Sequence, residues 1–361
     1  MQTEQLTQVH LGDDHGETRP ISQQNFDVAS FSSEEARFQE KLLNLCPANL
    51  WPKASYTTGC PRPVLVGQYH QQQLKDLHEA LTAAITDVVQ RWCSDKDARF
   101  PERMPLEDKE EELLQWIEGQ VMIGNLPQFS QCRGSWRPDF LVEDNGEREE
   151  NYCITEINAR FSFNGFMHEV YGQAATNESL ESAETVLMPA TDPDTEIPQL
   201  VARGVVTAVQ AEALRLGIAE TLIPGSKELK DLLQVSLTSP GLRHGYILKP
   251  IRSGKGNGII FGDDVTAPEW ASLLQALTSP GEISAGLCVV QRRITPHKYD
   301  LVLRASEGMV RYPLVGTYHV TNGELLGLGT WRASGGRIVA VASGGSWICS
   351  VMKGVRDFQE E

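Results

Sequence analysis

Apolar residues along this chain recur in two rhythms, and the change of rhythm marks the change of element. Leu74, Leu77, Leu81, Ile85 and Val88 lie three or four positions apart, which predicts one long helix over residues 71–92. The capping pattern Ser33-Glu34-Glu35 opens a shorter amphipathic helix through Leu45. The acidic run from Glu107 to Glu112 starts another, ending near Ile117, with carboxylates at the positive end of the helix. Residues 174–186, 201–216 and 268–277 also tend to helix. Short apolar runs bounded by Gly, Pro and polar clusters read as strands at 64–66, 246–250, 258–261, 287–291, 300–306, 311–320 and 337–342. The clearest pair is Phe140-Leu141-Val142 and Tyr152-Cys153-Ile154, joined by an acidic turn with an Asn145-Gly146 tip, the signal of an antiparallel hairpin. Side chains alternate along a strand, so Glu156 and Asn158 point one way while Ile154 and Ile157 are expected on different faces. The mixture predicts an α+β fold with mixed or antiparallel sheets and a helical N-terminal region.

The segments fall into five stretches. Residues 1–30 read as a flexible polar tail and 31–125 as the helical region. The hairpin half covers 126–200, a glycine-loop subdomain 201–286, and a last β-rich part 287–361. Within these, the proline-rich residues 187–200 read as a linker.

A length of 361 residues suffices for two or three subdomains with a sizeable core. The formal net charge of −16 argues against nucleic acid as the main partner, because phosphate backbones require a basic surface. Seven scattered cysteines without a Cys-x-x-Cys pair read as buried thiols in a reducing compartment rather than a zinc site or disulfide framework. The polar first 25 residues do not form a signal peptide, and no apolar stretch is long enough to cross a bilayer. A cytoplasmic protein with no membrane partner is expected.

The candidate chemistry gathers at the hairpin. Arg137-Pro138-Asp139-Phe140 opens one strand and Glu156-Ile157-Asn158-Ala159-Arg160 closes the other. Asp139, Glu156 and Asn158 supply three oxygen donors, two of them charged, as suits a Mg²⁺ that also holds a nucleotide triphosphate. Arg137 and Arg160 beside them suit a large anion. Further on, Lys249 precedes a loop carrying Gly254, Gly256 and Gly258 between strands. Such a loop brings backbone N–H groups close to phosphates, and neither the Walker nor the Rossmann spacing is present. Lys227 lies upstream, and Gln291 ends an apolar strand where an amide is suited to reading an adenine amine. Gly327-Leu328-Gly329 precedes Arg332, whose guanidinium is suited to a transferring phosphoryl group.

Taken together, these motifs resemble ATP-grasp ligases, specifically the circularly permuted glutathionylspermidine synthase type, over about residues 130–345. The metal carboxylates precede the lysines and the glycine loop, which is the order of the permuted branch. The resemblance implies ATP and Mg²⁺ as cofactors, with Asp139, Glu156 and Asn158 as metal ligands. It makes Lys227, Lys249, Ser253, Gly254, Gly256 and Gln291 nucleotide contacts, residues 252–258 the lid, and Arg137 and Arg332 the catalytic arginines. The hairpin half and residues 287–361 become the two parts of the ATP-grasp core, and 201–286 its lid subdomain. The implied activity is carboxylate–amine ligation through an acyl-phosphate, on a small acid or peptide and an amine. An ATP-dependent phosphotransfer without amide formation, or an inactive ATP-grasp binding module, would use the same pocket. The identity of the acid and amine and the oligomeric state stay open.

Overall fold

The computed structural model describes residues 5–11, 18–24, 26–104, 106–144, 150–159, 163–181, 187–189, 213–214, 216–251, 256–278 and 288–353. Two compact units are built from interleaved stretches: 1–78, 134–200 and 295–361 form the first, 79–133 and 201–294 the second.

Among the described residues, the first unit carries a mixed sheet of eleven strands. They are β1 (Thr7–His10), β2 (Arg19–Pro20), β3 (Gly59–Val66), β4 (Ser135–Glu143), β5 (Asn151–Asn158) and β6 (Leu187–Pro189) from the first two stretches. The last stretch adds β11 (Lys298–Val302), β12 (Met309–Thr321), β13 (Glu324–Leu328), β14 (Trp331–Ala333) and β15 (Ser346–Lys353). The main path runs β2-β1-β3-β15-β14-β12-β4-β5, antiparallel except where β15 lies parallel to β3. Helices α1 (Val28–Leu45) and α5 (Phe163–Glu181) contribute Phe38, Leu42 and Ala175 to a core that closes around Trp51, Trp347 and Cys349. Trp51 and Trp347 stack at 6.3 Å.

The opposite side of the sheet is a ring cluster. Phe140 packs 4.5 Å from Tyr152 and edge-on to Trp331, and Tyr318 meets His78 edge-on. His78 belongs to α2 (Gln68–Arg91), the long helix expected from the leucine spacing. The rings come this close because Gly316 has no side chain; a Cβ there would lie 2.3 Å from Phe140 and 2.7 Å from Trp331.

Among the described residues, four strands make the sheet of the second unit, ordered β7 (Thr221–Leu222), β10 (Cys288–Arg292), β8 (Tyr246–Pro250) and β9 (Ile260–Phe261). Helices α6 (Lys227–Thr238) and α7 (Ala267–Leu277) cover one face, packing Leu229, Leu233, Trp270 and Leu274 on Leu222, Leu248 and Val290. Both helices start with a side-chain cap: Ser226 accepts from the Leu229 amide, and Thr266 forms a reciprocal box with Glu269. The short α3 (Phe100–Arg103) and α4 (Asp108–Met122) also lie in this unit.

Several expectations change. The stretch read as a flexible tail places β1 against β3, with Leu6, Val9 and Leu11 buried. Its buried Gln8 donates to the carbonyls of Arg62 and Val302 and accepts from the Val302 amide, so a polar residue is satisfied where the sequence shows only polarity. α1 begins at Val28 rather than Ser33, because Asp27 accepts from the Ser30 amide and caps the helix a turn earlier. The strand expected at 64–66 starts at Gly59; it passes Pro61 and Pro63 through a break in pairing with β15 between Ile348 and Ser350. α5 begins at Phe163, well ahead of the helix expected from residue 174. No strand forms at 337–342; residues Val341–Ser343 make a 3₁₀ turn, and the C-terminal strands are β13, β14 and β15. Of the expected linker, Leu187–Pro189 pairs with β15. The hairpin tip and nearly all of the helix expected at 201–216 lie outside the described residues.

Candidate active site

The hairpin register decides which side chains meet. Arg137 lies opposite Asn158 and Asp139 opposite Glu156, so all four project from one sheet face. One step later Phe140 lies opposite Ile154, which leaves Thr155 as an extra residue in β5. That bulge resets the alternation. In a regular strand Ile154 and Glu156 would share a face; here Ile154 turns to the rings and Glu156 to the polar side. It also puts Ile157, opposite Pro138, on the side of Ile154, which corrects the expectation that those two isoleucines diverge. β12 adds Thr317 opposite Asp139, and β14 adds Arg332 opposite Val315.

Asp139 is the centre of this face and is 4% exposed. Arg137 Nε donates to its Oδ1 at 3.0 Å and Arg332 Nη2 to its Oδ2 at 2.7 Å. Burial works against its charge, but the pull of Arg332 and then Arg137 prevails, holding the carboxyl below the usual carboxylate range. Asn158 Nδ2 donates to the Arg137 carbonyl and to Glu156 Oε1, both at 3.4 Å. The amide is thereby turned so that Oδ1 is the atom left to offer a lone pair. Among the described residues no three His, Cys, Asp or Glu side chains cluster as metal ligands, so a cation here depends on the Asn158 amide as well as the two carboxylates. The donor chemistry fits a hard dication beside an oxyanion: Glu156 and Asn158 supply oxygens, and Arg332 keeps a buried Nε with no hydrogen-bond partner among the described residues.

Two supporting residues escaped the sequence reading. Thr155 donates through Oγ1 to the Asp139 carbonyl at 3.3 Å, and Thr317 to the Thr330 carbonyl at 3.1 Å. The first pins the bulge and the second fixes the strand that carries Arg332. Neither threonine differs in sequence from an ordinary strand residue, so no local signal marks them. Arg332 lies within β14, between Val315 and Trp347. Arg160 lies outside the described residues. His168 is buried, 2.9 Å from Ser55 Oγ and packed on Trp347, a place in the core.

In the second unit, Lys249 and Gln291 share the sheet face turned away from α6 and α7. Lys249 pairs with Val289, and Gln291 with Ile247 and Thr221. Gln291 is buried and donates to Thr221 Oγ1 at 3.0 Å. Lys227 opens α6 at 82% side-chain exposure and pairs with Asp231 one turn on. Gly256 and Gly258 both take positive φ, as a tight glycine turn requires. Ser253 and Gly254 lie outside the described residues.

Residues 77–204 match the family model described as the AnkG N-terminal domain. The chain is 24% identical to the ATP-grasp enzyme ankG of Aspergillus thermomutatus, over 77% of its own length and 85% of that protein. A glutathione synthetase-like effector from Globodera pallida, solved in its apo form, aligns with 92% of the chain and 98% of its own at 10% identity and a TM-score of 0.44. The resemblance to ATP-grasp enzymes that the strand motifs carry is thus matched by a relative of that kind along most of the chain.

Proposed function

We propose that this chain is an ATP-dependent carboxylate–amine ligase, with ATP and Mg²⁺ as cofactors and a small acid and an amine as substrates. One observation carries the reading: the bulged β4–β5 register gathers two carboxylates, an amide and a guanidinium on one face, and Arg332 joins them from β14. In this reading Glu156 and Asn158, with Asp139, are the magnesium ligands. Arg137 and Arg332 neutralise the charge on the transferring phosphoryl group and on the acyl-phosphate it forms. When bound, Mg²⁺ supplies charge neutralisation across the phosphate oxygens. Lys249 and Lys227 are assigned to the nucleotide phosphates, Gln291 to the base, and Ser253, Gly254 and Gly256 to the covering loop. The terminal phosphoryl group passes to a carboxylate oxygen, leaving ADP. The amine then attacks the acyl carbon, loses a proton, and phosphate departs with the C–O bond pair. Positioning and charge neutralisation supply most of the acceleration in such transfers. A cytoplasmic setting suits the free thiols, and no described helix is long and apolar enough to cross a membrane.

The test is ADP release with Mg²⁺ against panels of acids and amines. Release that requires both an acid and an amine supports ligation. Hydroxylamine in place of the amine gives a hydroxamate from the activated acid; no hydroxamate with any acid that elicits ADP release removes the acyl-phosphate step.

A further inference from the structure

Asp139 is the most contested group on the polar face. Arg137 and Arg332 occupy both its oxygens, with Arg137 Nη2 adding a longer contact of 3.4 Å to Oδ2. A dication approaching this carboxylate meets two guanidinium charges first, in surroundings that screen them poorly. Arg332, for its part, spends Nη2 on Asp139 while its buried Nε has no partner among the described residues, so it retains capacity for a second anion.

We propose that the two arginines and a divalent cation compete for Asp139, so that its carboxylate passes to the cation only when an oxyanion takes the guanidiniums. This rests on the magnesium–nucleotide reading given above. It divides the expected ligand set in time. Glu156 and Asn158 meet the cation first, and Asp139 joins once phosphate oxygens draw Arg137 and Arg332 away. Bare cation is then held weakly, and cation and nucleotide strengthen one another's binding by the same factor.

Mn²⁺ serves as the probe, followed by electron paramagnetic resonance on the full chain without nucleotide. Arg332→Gln leaves Asp139 one guanidinium; the expected result is Mn²⁺ binding about fivefold tighter than in the unaltered protein, with weaker binding of the ATP analogue AMPPNP. Simple loss of a nearby positive charge would give the same gain without Asp139, so the measurement is repeated in Asp139→Asn. There, Arg332→Gln is expected to add less than about twofold. Arg137→Gln, which acts on the other oxygen, is the second probe, and circular dichroism checks that each variant is folded. Unchanged Mn²⁺ affinity in both arginine variants overturns the inference, as does a gain that persists in the Asp139→Asn background. If the unaltered protein binds no Mn²⁺ even with AMPPNP, the magnesium–nucleotide reading itself falls and takes this inference with it. Binding of that complex with no effect from either arginine removes this inference alone.

Discussion

The two faces of the β4–β5–β12–β14 sheet are built from the same strands and do opposite things. On one, Phe140, Tyr152, Tyr318 and Trp331 interlock as rings, with Gly316 leaving them room. On the other, residues one position away along the chain hold Arg137, Asp139 and Arg332 in ion pairs. Neighbours in sequence therefore divide into those that keep the sheet together and those that present charge. A bulge at Thr155 lets a single strand serve both purposes.

That division is open to attack from either side. Phe140→Ala should cost about 3–5 kcal/mol in urea unfolding, since it empties the centre of the ring cluster. Glu156→Ala should cut ADP formation by about 100-fold while moving the urea midpoint far less than Phe140→Ala does. Equal losses of stability in the two variants would dissolve the contrast. Acid should weaken the ring face through His78, whose burial lowers its pKa to about 4 although its Nε2 hydrogen-bonds the Gly323 carbonyl. A group that binds its proton less readily folded than unfolded takes stability away as pH falls. The loss should begin near pH 6.5 and run to about 4, approaching roughly 3 kcal/mol. Urea titrations at several pH values measure it, and His78→Gln should flatten the slope. The smallest effect belongs to a charge on neither face. Lys227→Ala should leave the urea midpoint almost unmoved, its pairing with Asp231 being solvated. Nucleotide affinity, read by calorimetry, should fall more for Lys249→Ala than for Lys227→Ala.

The hairpin's share of the polar face was legible in the sequence because its parts are local. Arg137, Asp139, Glu156 and Asn158 belong to one hairpin, and an Asn-Gly pair between apolar runs is a sequence signal for such an element. The bulge was not legible, since an inserted residue changes the register without changing the pattern, and the relative facing of Ile154 and Ile157 was misjudged for that reason. β14 is three residues long and offers no alternation to read. β15 is buried over Ser346–Val351, so its period is masked by apolar and small residues on both sides. β1 fails for another cause. Its sequence is polar, and what holds Gln8 comes from positions 54 and 294 residues away. Only a partner that distant gives the segment its place.

The parallel pairing of β3 with β15 also bears on how the molecule is made. Trp347 lines up with Gly59, so β3 waits in the sheet for a parallel neighbour that lies far later in the chain. Until then β3 presents an unpaired edge of Cys60, Val64 and Val66, the kind of exposed ladder that recruits stray strands. Chains that stop short of Ser346 should be the aggregation-prone species, and the arrival of β15 the step that ends that exposure.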